Sequence, residues 1–257
     1  MIGFTGVTAS TAANVKIIGT RLQRPLVGSS ARAMMGSMAS QALYVRQLQL
    51  GPMKNFVYLV GAPGSPEVCV IDPAWDVPAI LQAADEDGKR IVSAFLTHHH
   101  ADHLNGVKPL LAHRELPIYV QRAELEVSEV IRDFKDVVKV VTPGEKIAVG
   151  AISVTCIHTP GHTPGSQCLL CDDALVSGDT VFVNACGRCD LPGGSVEQMF
   201  DSLHHVLGKL PASTALYPGH DYGDIKSSTL ERERANNPYL QLHQLDAFVG
   251  LRSRPRR

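Results

Sequence analysis

Seven residues constrain this chain more than any others: Thr97 to His103, written THHHADH, put four histidines and an aspartate directly after the apolar run Ile91 to Leu96. So many imidazoles are costly to bury for packing alone, because each ring nitrogen needs a partner once water is lost. A bound cation satisfies several of them at once. His98 and His100 are two apart, so an extended segment turns both rings to one side, and Asp102 and His103 follow where a helix would begin.

Three other segments share one form, an apolar strand ending in Gly or Pro beside a potential ligand: CIHTPGHTPGS with His162, LVSGDTVF with Asp179, and LYPGHDYG with His220. Strand ends closed by tight turns can present rigid side chains to a common point. The candidate ligands are therefore His98, His100, Asp102, His103, His162, Asp179 and His220. Five imidazoles and two carboxylates exceed the needs of one tetrahedral ion and suit two. Two divalent ions about 3.5–4 Å apart lower the pKa of a shared water toward neutrality, which makes hydroxide available. This is hydrolytic machinery that needs no serine or cysteine nucleophile, and the chain has neither a G-x-S-x-G elbow nor a G-x-x-x-x-G-K phosphate loop.

The H-x-H-x-D-H run of His98, His100, Asp102 and His103 resembles the signature of the metallo-β-lactamase fold superfamily, and the likeness extends from about residue 42 to 240. The resemblance implies a four-layer αββα sandwich of the α/β (α+β) class. It implies a first metal on His98, His100 and His162, a second on Asp102, His103 and His220, and Asp179 as the bridge. Asp102 would orient as well as ligate. An aspartate at the bridging place resembles the thioester hydrolase and dioxygenase branches more than the lactamases. ACGRCDLPGG and GHDYG resemble hydroxyacylglutathione hydrolases and persulfide dioxygenases, in which the corresponding Arg188 and Tyr222 contact glutathione.

Two readings of function follow from that resemblance. The first is hydrolysis of a small, hydroxyacylglutathione-like thioester with two divalent metals, zinc, iron or manganese. The second is a persulfide dioxygenase acting on glutathione persulfide with one Fe(II) on His98, His162 and Asp179 as a facial triad. All seven ligands favour the first. Against it, Cys189-Asp190 replaces the aromatic-acidic stretch of the hydrolases, and the C-terminal helical extension usual in them is not expected after Tyr239.

The remaining histidines and cysteines have simpler readings. His99 faces away from its neighbours as a packing or supporting ring; His113, His204, His205 and His243 read as helix-surface rings, and His158 lacks the glycine turn of the ligands. Cys168-x-x-Cys171 and Cys186-x-x-Cys189 approach the spacing of a structural zinc site, but on a strand Cys168 and Cys171 point to opposite faces, so small buried hydrophobes are expected. Arg188 has an ordinary reading as the partner of Asp190, Tyr222 one as a turn aromatic, and Arg232 and Arg234 lie within reach of a substrate carboxylate or on a solvated helix face.

A net charge of −1 gives no reason to expect nucleic acid or an anionic membrane as partner; a small molecule fits better, and a homo-oligomer stays open. No apolar stretch reaches the roughly 18 residues of a membrane span. Residues 1–41 hold Lys16, Arg21, Arg24 and Arg32 and no acidic residue, which reads as a disordered or targeting extension. A cytoplasmic protein is expected, with the mitochondrial matrix as the alternative. Residues 42–245 form the domain and 246–257 a basic, frayed tail.

Within the domain, strands are expected at 44–50, 55–62 and 67–74, a helix in VPAILQAADEDGKR, a strand into the histidines, and a hairpin turning at Asp172-Asp173. HLNGVKPLLAHRE, RAELEVSEVIRDF, VEQMFDSLHHVLGKL and STLERERAN read as helices.

Overall fold

In the run NFVYLVG, Val57 and Leu59 face one way and Phe56, Tyr58 and Val60 the other, and both sets are buried. A strand covered on both faces needs a layer on each side. The computed structural model, which describes residues 43–252, supplies those layers. One sheet has the order β1 (Tyr44–Leu50), β2 (Asn55–Gly61), β3 (Glu67–Ile71), β4 (Arg90–Phe95), β5 (Ile118–Gln121) and β6 (Val138–Val141). It starts antiparallel and turns parallel from β3 onward.

The second sheet runs β7 (Lys146–Val149), β8 (Ile152–His158), β9 (Gln167–Cys171), β10 (Ala174–Gly178), then β13 (Ala215–Pro218) and β14 (Ser228–Thr229). Between them in sequence a small hairpin pairs β11 (Val181–Phe182) with β12 (Ala185–Cys186). Three apolar clusters separate the layers. One joins the first sheet to α1 (Val77–Glu86), α2 (Ala101–Leu104), α3 (Val107–His113), α4 (Arg122–Val127) and α5 (Glu129–Arg132). One lies between the sheets, around Phe56, Tyr58, Phe95, Val154 and Leu169. The third packs the second sheet under α6 (Val196–Asp201), α7 (Leu230–Asn236) and α8 (Leu245–Arg252). This is the expected αββα sandwich.

Local departures have local causes. The expected helix at 122–134 is broken at Ser128, whose hydroxyl accepts the Ile131 N–H and starts α5. Pro109 does not break its helix, because it lies in the first turn of α3, where no intrahelical N–H is required. The amphipathic stretch after Ser195 is α-helical only to Asp201; a π turn spans Ser202–Val206, where the Ser202 hydroxyl donates to the Pro160 carbonyl at 2.7 Å, and a 3₁₀ turn ends it.

The C-terminal reading needs correction. Leu245–Arg252 is a helix that buries Phe248 against Phe200 and Tyr239, so the frayed tail does not begin at 246. Residues 1–41 and 253–257, on which the extension and the rest of the basic tail fall, lie outside the described residues. No described helix is long and apolar enough to cross a membrane.

Candidate metal centre

Each candidate ligand follows the C-terminal end of a strand: the histidine run follows β4, His162 follows β8, Asp179 follows β10 and His220 follows β13. The sandwich therefore brings all seven to one edge. His100 Nδ1 lies 2.9 Å from His162 Nε2, and the His98 ring packs edge-on against both. His103 Nε2 lies 3.0 Å from His220 Nε2, with Asp102 Oδ2 3.5 Å from each. Asp179 stands between the two groups. Its Oδ2 is 3.5 Å from His162 Nε2, and its Oδ1 is 3.4 Å from His103 Nε2 and 3.5 Å from His220 Nε2.

The far side of most rings is already committed. His103 donates Nδ1–H to Asp72 at 2.9 Å, His162 to the Arg188 carbonyl at 2.6 Å, and His220 to the Met53 carbonyl at 2.9 Å. The Thr97 hydroxyl donates to Asp72 Oδ2, so toward His98 Nδ1, 3.0 Å away, it accepts. These partners accept, which places the proton of the neutral ring on Nδ1 and, in that form, leaves Nε2 with a lone pair aimed into the centre. Such an outer contact is what metal-ligating histidines carry.

A cation fits this arrangement. His98 Nε2 and Asp179 Oδ1 are among the buried side-chain atoms that lack a hydrogen-bond partner within the described residues. His103 Nε2 and His220 Nε2, 3.0 Å apart, need a positive charge between them, which a proton on His103 supplies in the metal-free protein and a cation would replace. Burial and the neighbouring imidazoles hold His98 well below the usual histidine range and His100 at about 4, so both are neutral donors. Burial opposes charge on His103 too, yet Asp179, Asp72 and Asp102 outweigh it and hold that ring at about 9. Burial likewise works against the Asp179 anion, and His103, His220 and His162 still keep it below the usual carboxylate range. Three sets of donor atoms lie within 4.8 Å of one another: His98, His100 and His162; Asp102, His103 and His220; and Asp72, His98 and His103. Asp72 is occupied by Thr97 and by the outer nitrogen of His103, so it supports rather than ligates.

Two glycines make room for Asp179. A Cβ on Gly219 would lie 2.5 Å from Asp179 Oδ1, and one on Gly187 would lie 1.8 Å from the Asp179 carbonyl oxygen. The fold agrees with what known proteins show. Residues 50–220 match the family model of the metallo-β-lactamase superfamily.

The chain belongs to the metallo-β-lactamase superfamily.

Its relatives within that superfamily include a probable polyketide biosynthesis zinc-dependent hydrolase, BaeB, of Bacillus velezensis, 32% identical over 200 residues, 78% of this chain and 88% of the relative. The human mitochondrial persulfide dioxygenase ETHE1 is 33% identical over 200 residues, 77% of this chain and 75% of its own. A hydroxyacylglutathione hydrolase of Nitrosococcus oceani is 31% identical over 195 residues, 74% and 71% of the two chains. The crystal structure of ETHE1 from Myxococcus xanthus superposes with a TM-score of 0.73 at 29% identity, covering 83% of this chain and 92% of that one. Named superfamily relatives thus divide between hydrolases and dioxygenases.

Other residues singled out in the sequence fall around the edge or away from it. Arg188 reaches the centre through its carbonyl, while its guanidinium pairs with Asp190 at 2.8 and 2.9 Å. Tyr222, 53% exposed, stacks on His220 with ring centroids 4.5 Å apart. Arg232 pairs with Asp224 and Glu233, and Arg234 donates to the carbonyls of Leu207, Gly208 and Leu210 at a helix end. His158 meets the Pro164 carbonyl, 3.0 Å away. Cys168 packs toward the helices and Cys171 between the sheets, as free thiols.

Sequence reasoning missed four supports. Asp72 and Asn55 bond directly to ligands, Trp75 bonds to Asn55, and Glu124, fully buried, accepts from His99, from the Thr163 hydroxyl at 2.6 Å and from the Gly165 N–H at 2.7 Å. Burial raises the Glu124 carboxyl, but those donors more than offset it and bring it below its ordinary value. Nothing in the sequence separates Glu124 from the exposed Glu126 and Glu129 beside it.

Proposed function

We propose that this chain hydrolyses a small thioester of the acylated-glutathione kind, with two divalent cations. One would be held by His98, His100, His162 and Asp179, the other by Asp102, His103, His220 and Asp179. The reading is carried by one observation: the two oxygens of Asp179 face separate groups of imidazoles. The mixed nitrogen and oxygen donors admit zinc, iron or manganese. When bound, such a pair supplies Lewis-acid polarisation of a carbonyl and a water that loses its proton near neutral pH.

The chain's own residues do the positioning. Asn55 donates to Asp102 Oδ2 at 2.9 Å and holds that carboxylate beside His103 and His220, so Asp102 orients as well as ligates. Arg188, half-exposed, exchanges Asp190 for a carboxylate of the substrate. The Tyr222 phenol, beside His220, donates to the peptide portion or the sulfur.

A second reading is a mononuclear iron persulfide dioxygenase using His98, His162 and Asp179. The match to the human persulfide dioxygenase supports it, as does the fit to the Myxococcus structure. Elemental analysis with two assays separates them. A hydrolase holds about two metals per chain and consumes S-lactoylglutathione without oxygen; a dioxygenase holds about one iron and takes up oxygen with glutathione persulfide. A cytoplasmic location is proposed, with the acid-free residues 1–41 supporting the matrix as the alternative. Fusing those residues to a fluorescent protein tests which holds.

A further inference from the structure

Each member of the second ligand group is held by a different residue: His103 and His220 on their outer nitrogens by Asp72 and the Met53 carbonyl, and Asp102 on its inward oxygen by Asn55, whose amide nitrogen also lies 3.5 Å from His103 Nε2. The first two holders can only accept. Asn55 is different, since an amide presents a donor at one end and an acceptor at the other. With its nitrogen toward Asp102 it donates to Oδ2 at 2.9 Å and to the backbone carbonyl at 3.0 Å; reversed, its oxygen would face a carboxylate. The indole of Trp75 decides between these states. Its Nε1–H, a donor only, meets Asn55 Oδ1 at 2.8 Å and holds the oxygen away from the ligand.

Trp75 is itself kept in an unfavoured shape. Its φ is +64°, in the left-handed region that bulky residues rarely adopt. Its backbone N–H donates to Asn105 Oδ1 at 2.7 Å, and its ring lies over Gly51, where an added Cβ would come within 2.4 Å. Asp72, in the same short loop between β3 and α1, has φ +51°. One loop with two left-handed residues thus supplies supports for both Asp102 and His103. Packing against the first apolar cluster accounts for the face of the indole, but not for where its N–H points.

We propose that Trp75 is a positioning residue that acts through Asn55 to fix the Asp102 carboxylate for the second cation, an inference that rests on the two-cation reading above. Trp75 is the one tryptophan of the chain, so its emission is a native reporter. Chelator-treated protein is titrated with Zn²⁺ while fluorescence and bound zinc are followed. Wild type should bind two equivalents, one of which changes the emission. Trp75→Phe keeps an aromatic ring without the N–H; it should bind one equivalent as wild type does and the other about 10–100-fold more weakly. Asn55→Ala tests the same link from its other end, with the tryptophan in place, and should show the same weakening and lose the emission change. Two equivalents bound with wild-type affinities by either variant overturn the relay and leave the two-cation reading standing. A wild type that binds one equivalent overturns that reading, and the relay with it.

Discussion

His103 donates its outer nitrogen to Asp72 at 2.9 Å, and the same carboxylate accepts the Thr97 N–H at 2.7 Å and hydroxyl at 2.6 Å. One buried acid therefore ties the end of β4 to the ring that faces His220. In Asp72→Asn, an NH₂ group replaces one acceptor oxygen and confronts a donor. Metal affinity should fall about 10–100-fold, and stability by about 1–3 kcal/mol. Competition with a chromogenic chelator and urea unfolding measure the two. Unchanged affinity would show that His103 needs no alignment from Asp72.

Chelation should remove both turnover and stability. It leaves His98 Nε2 and Asp179 Oδ1 without a partner. At free metal near 100 times its Kd, each site contributes about 2.7 kcal/mol, so the treated protein should melt at a lower temperature and recover on adding zinc. Asp179→Asn should hold no more than one equivalent and lose turnover. A chelated protein with unchanged melting and full activity removes the metal centre from consideration.

The fold was legible through the resemblance that the H-x-H-x-D-H run carries, and the hairpin after β9 through its turn residue Asp172, whereas the reversal at Gly150 lies inside the run KIAVGAISVTCIHT, which reads as one strand. The convergence of His98 to His103 with His162, Asp179 and His220 was legible for a separate reason: each sits just past an apolar run, next to a residue that ends it. Asp72 also ends such a run, yet the expected strand at 67–74 passes through it. Asn55 and Trp75 carry no periodicity or spacing, and their meaning lies in which atom faces which across the fold. The break at Ser202 was hidden since its cause, the Pro160 carbonyl, is 42 positions away.

Glu124 joins two ligand-bearing segments, accepting from His99 on one and from Thr163 and Gly165 on the other. Glu124→Ala leaves these donors without an acceptor in the interior. The expected cost is roughly 3–5 kcal/mol in metal-free protein, read from urea unfolding, with Glu124→Gln recovering much of it through its remaining oxygen. A loss below ~1 kcal/mol would show that the His162 loop stands without this clamp.

All six cysteines are buried and free, and burial pushes the thiols of Cys69 and Cys156 up to about 12 and that of Cys168 to about 11. At pH 8 a disulfide reagent should therefore label none in the folded protein and all six after denaturation. The same shifts set an alkaline limit. An unfolded chain loses its thiol protons near pH 8.5, whereas the folded one keeps these three until about 11 or 12. Above pH 8.5 the folded state binds more protons, so its stability is whole below that point and declines as pH rises toward the folded values. Each thiol contributes a slope of at most about 1.4 kcal/mol per pH unit. The urea midpoint should fall between pH 8.5 and 11, and less steeply in Cys69→Ala, which removes one of the five thiols that burial raises. Equal slopes in the two proteins would mean that the Cys69 thiol ionises in the folded chain as readily as in the unfolded one.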